Sequence, residues 1–409
     1  MIDTDTEAEG PKRYRVGTHR VVDPERTLAR VMPLVAAMGV TRVAMLTGLD
    51  IVGIPVAAAI RPNSRSIAVH QGKGPSVAAA KASAVMEAVE MFHAEYMKLP
   101  LRLASHAELS ADVPVADPAL LPRCRGAVEA DRLLWVEAQD LMSGAPLWVP
   151  YEMVSADFTL PCLACSGVFQ ATTNGLASGN HRLEAILHGL YEVVERDAIA
   201  LWRAAVRNQE DCALDPGSVD GPTSRALLEL FERAGIMLRI WDVTSDISLP
   251  VFVCLAMQPD PTDGVEPELG SGCHADRDIA LARALTEAAQ ARLTRISGAR
   301  DDFPVESYGP AVRRARQDSA RRLLGQSPAR RDFRAAPTWE GSTLRHDLDV
   351  VLSRLSDAGL RQAAWVDLTR PEFGIPVGRI VVPGLEGPWT PECGDYLPGR
   401  RARAVAERI

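Results

Sequence analysis

The sequence predicts an α+β fold, and three observations carry that expectation. Three long segments have helical spacing, and several short ones have the β-branched and aromatic content of strands. The two kinds do not follow one another in the regular strand–helix rhythm of a doubly wound sheet. With 409 residues, 47% hydrophobic and 24% charged, the chain has ample apolar material for a large core.

Charge and cysteine content exclude several classes. A net charge of −8 is the wrong sign for a general nucleic-acid binder, and the basic run "VRRARQDSARRLL" reads as one solvated helix face. The start "MIDTDTEAEGPKRY" is acidic and lacks the basic-then-apolar pattern of a secretory signal, so residues 1–19 read as a mobile tail. Arg42 and Asp50 break up the most apolar early segment, so no membrane span is expected. Seven cysteines, an odd number, fit reduced thiols and a cytoplasmic location. Cys162 and Cys165 in "CLAC" have metal-site spacing, but no second pair accompanies them.

In chain order, "RTLARVMPLVAAMG" has helical spacing up to a C-capping Gly39, and "VTRVAMLTGLDIVGIPVAAAIRP" reads as short strands broken by turns. Further strand-like pieces are "LLWVEAQDL" with "PLWVP", "MLRIWDVT" with "PVFVCLAM", "AAWVDLT" and "VGRIVVPG". The strong helices are "PSVAAAKASAVMEAVEMFHAEYMK", "RLEAILHGLYEVVERDAIALWRAA" and "RDIALARALTEAAQARLTRI". Residues 299–345, rich in Arg, Pro and Asp, read as a surface excursion with a short helix around 311–324.

The second strong helix poses the functional question. At about 100° per residue, Glu184, Glu192 and Glu195 fall within an arc of roughly 80°, opposite Leu183, Ile186, Leu187, Leu190, Val193 and Val194. A lone acidic face is usually just solvated. Here the pattern recurs: each strong helix carries an oxygen-bearing pair three residues apart, Glu87 and Glu90, Glu192 and Glu195, Glu287 and Gln290. Such a pair shares one face and can offer two oxygens to one point. Each helix also follows a glycine-bearing segment read as a loop, "HQGKGPS", "TTNGLASGN" or "GSGCH", suited to close approach of an anion. A phosphate-friendly loop followed by a carboxylate face suits Mg²⁺ with a nucleotide. "GKGPS" lacks Walker A spacing, so Lys73 is not a P-loop lysine. It could meet phosphate or a substrate carbonyl, or stay solvated. His188 could touch substrate or support a ligand from behind, and His93 reads as structural.

"GKGPSVAAAKASAVMEAVEMFHAE", "TTNGLASGNHRLEAILHGLYEVVERDA" and "GSGCHADRDIALARALTEAAQARLTRISGARDD" resemble the YcaO family in order, spacing and wording. "GVTRVAMLTGLDIVGIPV" before them and "VDLTRPEFGIPVGRIVVPGLE" after them extend the resemblance from about Arg20 to Arg401. It implies a single large α+β domain over residues 20–409, with mixed, mainly antiparallel sheets and packed helices, acting as a homodimer. It also implies an ATP site without a P-loop, used to activate a peptide amide.

On that resemblance, Glu87, Glu90, Glu184, Glu192 and Glu195 are expected to hold Mg²⁺ around the triphosphate, with Arg196 on phosphate. Glu287 and Gln290 match the family's third motif, with Arg292 a further phosphate contact and Asn180 a polar ligand. Arg20 and Thr27 resemble a cation and hydroxyl used at the nucleotide. Ser83 opens an SxxxExxE motif that departs from the family at Met91, where many members have arginine. O-phosphorylation of the amide would precede attack by sulfide, giving a thioamide, or by a neighbouring Cys, Ser or Thr, giving an azoline. The "EMFHAE" segment and an ending without a proline-rich PxPxP tail resemble the branch that pairs with TfuA-type proteins, so the expectation is thioamidation of a precursor peptide with a TfuA-like partner and a sulfide donor. A non-catalytic nucleotide-binding assembly protein is the alternative from another class.

Overall fold

Small residues set how strands meet helices in this chain. The computed structural model describes residues 9–124, 131–161, 166–205, 210–259, 265–303, 305–325, 330–389 and 396–407; the Cys162–Cys165 pair lies outside them. In chain order the elements begin with α1 (Pro24–Val31), β1 (Arg42–Met45), β2 (Val56–Ile60), β3 (Val69–Lys73), α2 (Val77–Glu95), β4 (Leu101–Ala104) and α3 (His106–Ser110). There follow β5 (Leu133–Asp140), β6 (Pro146–Pro150), β7 (Leu176–Ser178), α4 (Arg182–Ala204), α5 (Pro222–Arg233), β8 (Met237–Asp242), β9 (Val251–Met257) and β10 (Glu268–Cys273). The remainder are α6 (Arg277–Ser297), α7 (Pro310–Leu324), α8 (Leu344–Asp357), β11 (Ala364–Asp367), β12 (Val377–Val381) and α9 (Arg400–Glu407). The fold is α+β, with antiparallel pairing throughout these strands.

The chain forms two compact units, neither of them one continuous stretch. The first, within residues 12–88 and 208–340, holds two three-stranded sheets, ordered β1-β2-β3 and β10-β9-β8. Each sheet runs directly into a helix: β3 into α2, β10 into α6. Gly72, Gly270 and Gly272 make this possible. A Cβ on Gly72 would lie 1.9 Å from the backbone nitrogen of Ala84, and one on Gly272 would lie 2.2 Å from the carbonyl oxygen of Ala280. The segments read as glycine loops for an anion are therefore strands in two of the three cases. Their glycines serve contact between strand and helix backbones. Phe231, Phe252 and Phe333 share the apolar core of this unit.

The second unit, within residues 1–11, 89–207 and 341–409, holds a six-stranded sheet ordered β4-β5-β11-β12-β7, with β6 also paired to β5. α4 packs on β12 and β7. Gly175 and Gly189 are required there: a Cβ on either would fall within 3 Å of Ile380, and Gly175 also has a φ of 81°.

Three expectations need correction. The helix foreseen through "RTLARVMPLVAAMG" is α1 followed by a separate 3₁₀ turn, Val35–Met38, because Pro33 cannot continue an α-helix; the turn does end at Gly39, in the left-handed region at φ 82°. The tail does not reach residue 19: Leu344 N–H donates to Gly10 O at 2.9 Å, Tyr14 and Arg20 exchange backbone hydrogen bonds, and Lys12 and His19 are buried. The 299–345 stretch is not wholly superficial, since Phe333 is fully buried, although α7 lies where a short helix is expected.

Candidate active site

The three acid-bearing helices are built to one local plan. Ser76 accepts Ala79 N–H, His181 accepts Leu183 N–H and Asp276 accepts Ile279 N–H, so each helix begins on a side-chain cap. The steps from Ser76 to Glu87, His181 to Glu192 and Asp276 to Glu287 are each eleven positions. Within each helix a buried small or β-branched stripe recurs every four residues: Ala80, Ala84 and Ala88; Ala185, Gly189 and Val193; Ala280, Ala284 and Ala288. The acids occupy the neighbouring positions, which places them beside the strand-packing face rather than opposite it.

Burial rejects the solvated-face reading for α4. Glu184 is 2% exposed and Glu195 is 4% exposed, while Glu192 is half-buried. Buried carboxylates need partners. Glu184 Oε2 accepts Asn180 N–H at 2.8 Å, with Asn180 Nδ2 at 3.5 Å. Glu195 Oε1 lies 3.5 Å from the guanidinium of the half-buried Arg196. Glu192 lies in the field of Arg379, a buried cation on β12.

In the same unit, Glu90 Oε1 accepts both the backbone N–H of Ser178 at 2.8 Å and its hydroxyl at 2.7 Å. The first unit repeats this arrangement. There Glu287 Oε1 accepts Ser271 N–H at 3.3 Å and its hydroxyl at 3.1 Å, while Oε2 pairs with Lys73 Nζ at 2.6 Å. Gln290 Nε2 donates to Gln71 O at 3.3 Å. Glu87 is half-buried and lies in the field of Arg300. Thus Glu90, Glu184 and Glu287 each have an oxygen steered by a hydrogen bond from the strand or loop beside it, as second-shell donors steer metal-ligating carboxylates.

Other candidates have different surroundings. Arg292 is fully buried and grips Asp50 through two bonds of 2.9 and 2.8 Å, so a phosphate contact would require breaking a buried bidentate pair. Thr27 is buried and donates to Asp23 O at 3.1 Å, Arg20 is half-buried, and Ser83 is exposed on α2. His93 is buried with Nδ1 at 2.7 Å from Val89 O, and His188 is half-buried on α4.

Among the described residues, no group of three or more His, Cys, Asp or Glu side chains could hold a metal ion by itself. The donors fit Mg²⁺ in kind: they are carboxylate oxygens already oriented, and Mg²⁺ usually takes one or two carboxylates together with phosphate oxygens and water.

A family profile described as the ATP- and Mg²⁺-binding YcaO cyclodehydratase matches residues 71–386. The chain belongs to the YcaO family. ATP and Mg²⁺ are accordingly its cofactors. The chain is 35% identical to a protein in the tfuA 3′ region of Rhizobium leguminosarum bv. trifolii, over 94% of each. It is 35% identical to a Methanothermobacter thermautotrophicus protein over 90% of this chain and 95% of that one. In structure it is similar to YcaO from Methanopyrus kandleri bound with AMPPCP and Mg²⁺, with a TM-score of 0.74 and 25% identity over 92% of this chain and 95% of that one. A heterocyclase in complex with substrate and cofactor shares the fold, with a TM-score of 0.73 and 21% identity over 93% of this chain and 55% of that one. No described helix is long and apolar enough to cross a membrane.

Sequence reasoning missed a second set of charged residues in the YcaO chain. Asp197 on α4 is fully buried and meets Arg401 of α9 through two 3.1 Å bonds, while burial pushes its carboxyl up to about 6. Glu386 accepts Tyr396 Oη, Gly399 N–H and Ala402 N–H, fastening the start of α9. The available signal was an acid placed on the apolar side of its helix, beside Val194 and Ala198.

Proposed function

We propose that this protein activates a backbone amide of a ribosomally made peptide or protein with ATP and Mg²⁺, and that sulfide then replaces the amide oxygen to give a thioamide. The observation that carries the reading is the repeated helix plan with its oriented carboxylates, Glu90, Glu184 and Glu287. The branch is supported by 35% identity to the protein in the tfuA 3′ region. A TfuA-like protein, a sulfide donor and the precursor peptide are the proposed partners, and the chain acts as a cytoplasmic homodimer.

An amide carbonyl is a poor electrophile because its nitrogen feeds electrons to carbon. Transfer of the γ-phosphoryl group of ATP to the amide oxygen releases ADP and makes that oxygen a leaving group. Glu87, Glu90, Glu184, Glu192, Glu195 and Glu287 would hold Mg²⁺, which when bound neutralises charge on the phosphates. Arg196 supplies a fixed guanidinium for the charge that grows on the transferring group. Asn180 orients Glu184, and Lys73 balances Glu287 in the absence of nucleotide. Arg20, Thr27, Ser83 and Gln290 serve the nucleotide, while Arg292 acts at a distance by holding Asp50.

A second reading, azoline formation, is favoured by the family's description as a cyclodehydratase. Product mass separates the two. Incubated with precursor peptide, ATP, Mg²⁺, sulfide and the TfuA-like partner, the protein should exchange one amide oxygen for sulfur in a sulfide-dependent reaction. Sulfide-independent loss of one water would establish the azoline reading instead.

A further inference from the structure

The unit containing α4 and β12 encloses a small cavity whose lining includes Gln170, Thr172, Asn174, Val193, Arg379 and Glu386. The volume open to the centre of a water-sized sphere is about 30 Å³. One water needs about 10–15 Å³ on this measure, so the space holds one or two small groups and no more.

Its polar atoms are unbalanced. Arg379 is 1% exposed, and its Nη2 donates to Thr172 O at 2.6 Å. Its Nε and Nη1 are buried without a hydrogen-bond partner, and so is Asn174 Oδ1. The nearby carboxylate of Glu386 is turned away onto Tyr396, Gly399 and Ala402, and Gln170 Nε2 is used by Pro388 O. Burial drives the Arg379 guanidinium down to about 10, and the charge of Glu192 opposes that shift. The site therefore has two unmet donors on a buried cation and one unmet acceptor. A buried guanidinium without a counter-anion is a costly arrangement, so an anionic occupant is the complement that fits it.

We infer that this cavity is a subsite for a small monoanion carrying one hydrogen, and that in the reaction proposed above its occupant is hydrosulfide. Arg379 Nε–H and Nη1–H donate to sulfur, and the S–H donates to Asn174 Oδ1. Water would leave the charge uncompensated, and a carboxylate would leave Asn174 without a donor. Val193 lines the cavity and is the neighbour of Glu192, which sets the subsite beside the acidic face of α4. The inference rests on the thioamide reading for its occupant. Sulfur forms a bond to the activated amide carbon, the C–O bond breaks with its electron pair leaving on phosphate, and the S–H proton departs with that phosphate. No redox partner is required.

The test uses the full chain and its Arg379→Met, Arg379→Lys and Asn174→Ala variants. Arg379→Met should raise KM for hydrosulfide at least about tenfold while KM for ATP stays unchanged, because charge-assisted donors are lost from one ligand only. Asn174→Ala should show a smaller rise, and Arg379→Lys partial rescue. Crystals soaked in bromide, a heavy monoanion, should show anomalous density beside Arg379 in the wild type and none in Arg379→Met. Bromide bound at Arg379 together with an azoline product would retain the anion subsite and remove hydrosulfide as its occupant. Thioamide formation with unchanged KM for hydrosulfide in Arg379→Met, or water alone in the soaked cavity, would overturn the subsite itself.

Discussion

Glu90 on α2 and Ser178 at the end of β7 are joined twice, by the backbone N–H at 2.8 Å and the hydroxyl at 2.7 Å, both on one carboxylate oxygen. Loss of such an orienting partner typically costs ten- to a hundredfold in metal affinity or activity. Ser178→Ala keeps the backbone bond, so the expected effect is the lower figure, about tenfold on ATP turnover, with an unchanged melting temperature. Titration of activity against Mg²⁺ checks it; wild-type turnover at limiting Mg²⁺ would remove Glu90 from the metal set.

Glu195→Gln preserves side-chain volume in a buried site and removes one charge from the acidic face. Turnover should fall by roughly a hundredfold or more, the scale of losing one electrostatic contributor, while circular dichroism and melting stay near wild type. Arg196→Lys should also be poor, since an ammonium cannot reproduce a forked grip on phosphate. Near-normal rates in both variants would mean that this part of α4 has only a packing role.

Binding of ATP with Mg²⁺ should stabilise the fold by mass action, about 2.7 kcal/mol at a hundred times Kd. Differential scanning fluorimetry should show an upward shift that EDTA abolishes. An equal shift with and without divalent metal would argue that the carboxylates do not act through Mg²⁺.

Three buried histidines make the unit containing α6 acid-sensitive. Burial, reinforced by Lys12 for His19 and Arg61 for His70, lowers both to about 3; burial and then His19 lower His274 well below its usual value. In the unfolded chain each takes a proton near 6.5, whereas the folded chain resists until far lower pH. The unfolded state therefore binds more protons in that window. Stability is fully present above about pH 6.5 and is lost as pH falls toward 3. Urea midpoints should drop between pH 7 and pH 5, and His70→Gln should flatten that slope.

Gly270→Ala would place a Cβ 2.2 Å from Ala288 N and 2.3 Å from Ala284 O, both on the backbone of α6. Neither atom can move without shifting the helix, so a loss of about 3 kcal/mol or more is expected. Gly48→Ala, with nothing within 4 Å of its Cβ, should be nearly silent in the same denaturation series.

The sequence by itself determined the class of fold, the extents of α2, α4 and α6 to within a turn, and the recurring pairs Glu87 with Glu90, Glu192 with Glu195, and Glu287 with Gln290. These are local properties: the period of a helix and the phase of its acids follow from spacing along one stretch of chain. The motifs around those pairs also carried the family. What covers a helix face is not local. Whether Glu184 and Glu195 meet solvent was decided only when neighbouring elements closed over them, and both acids are buried. Gly72 and Gly272 read equally well as loop glycines until the strands are seen lying on helix backbone. Arg292 looked available to phosphate until Asp50, 242 residues away in sequence, was brought against it. Arg379 passed as one residue of a β-strand until burial left two of its nitrogens without partners. In each case the deciding term is desolvation by distant chain, which sets whether a charge is paired, oriented or left waiting for a ligand.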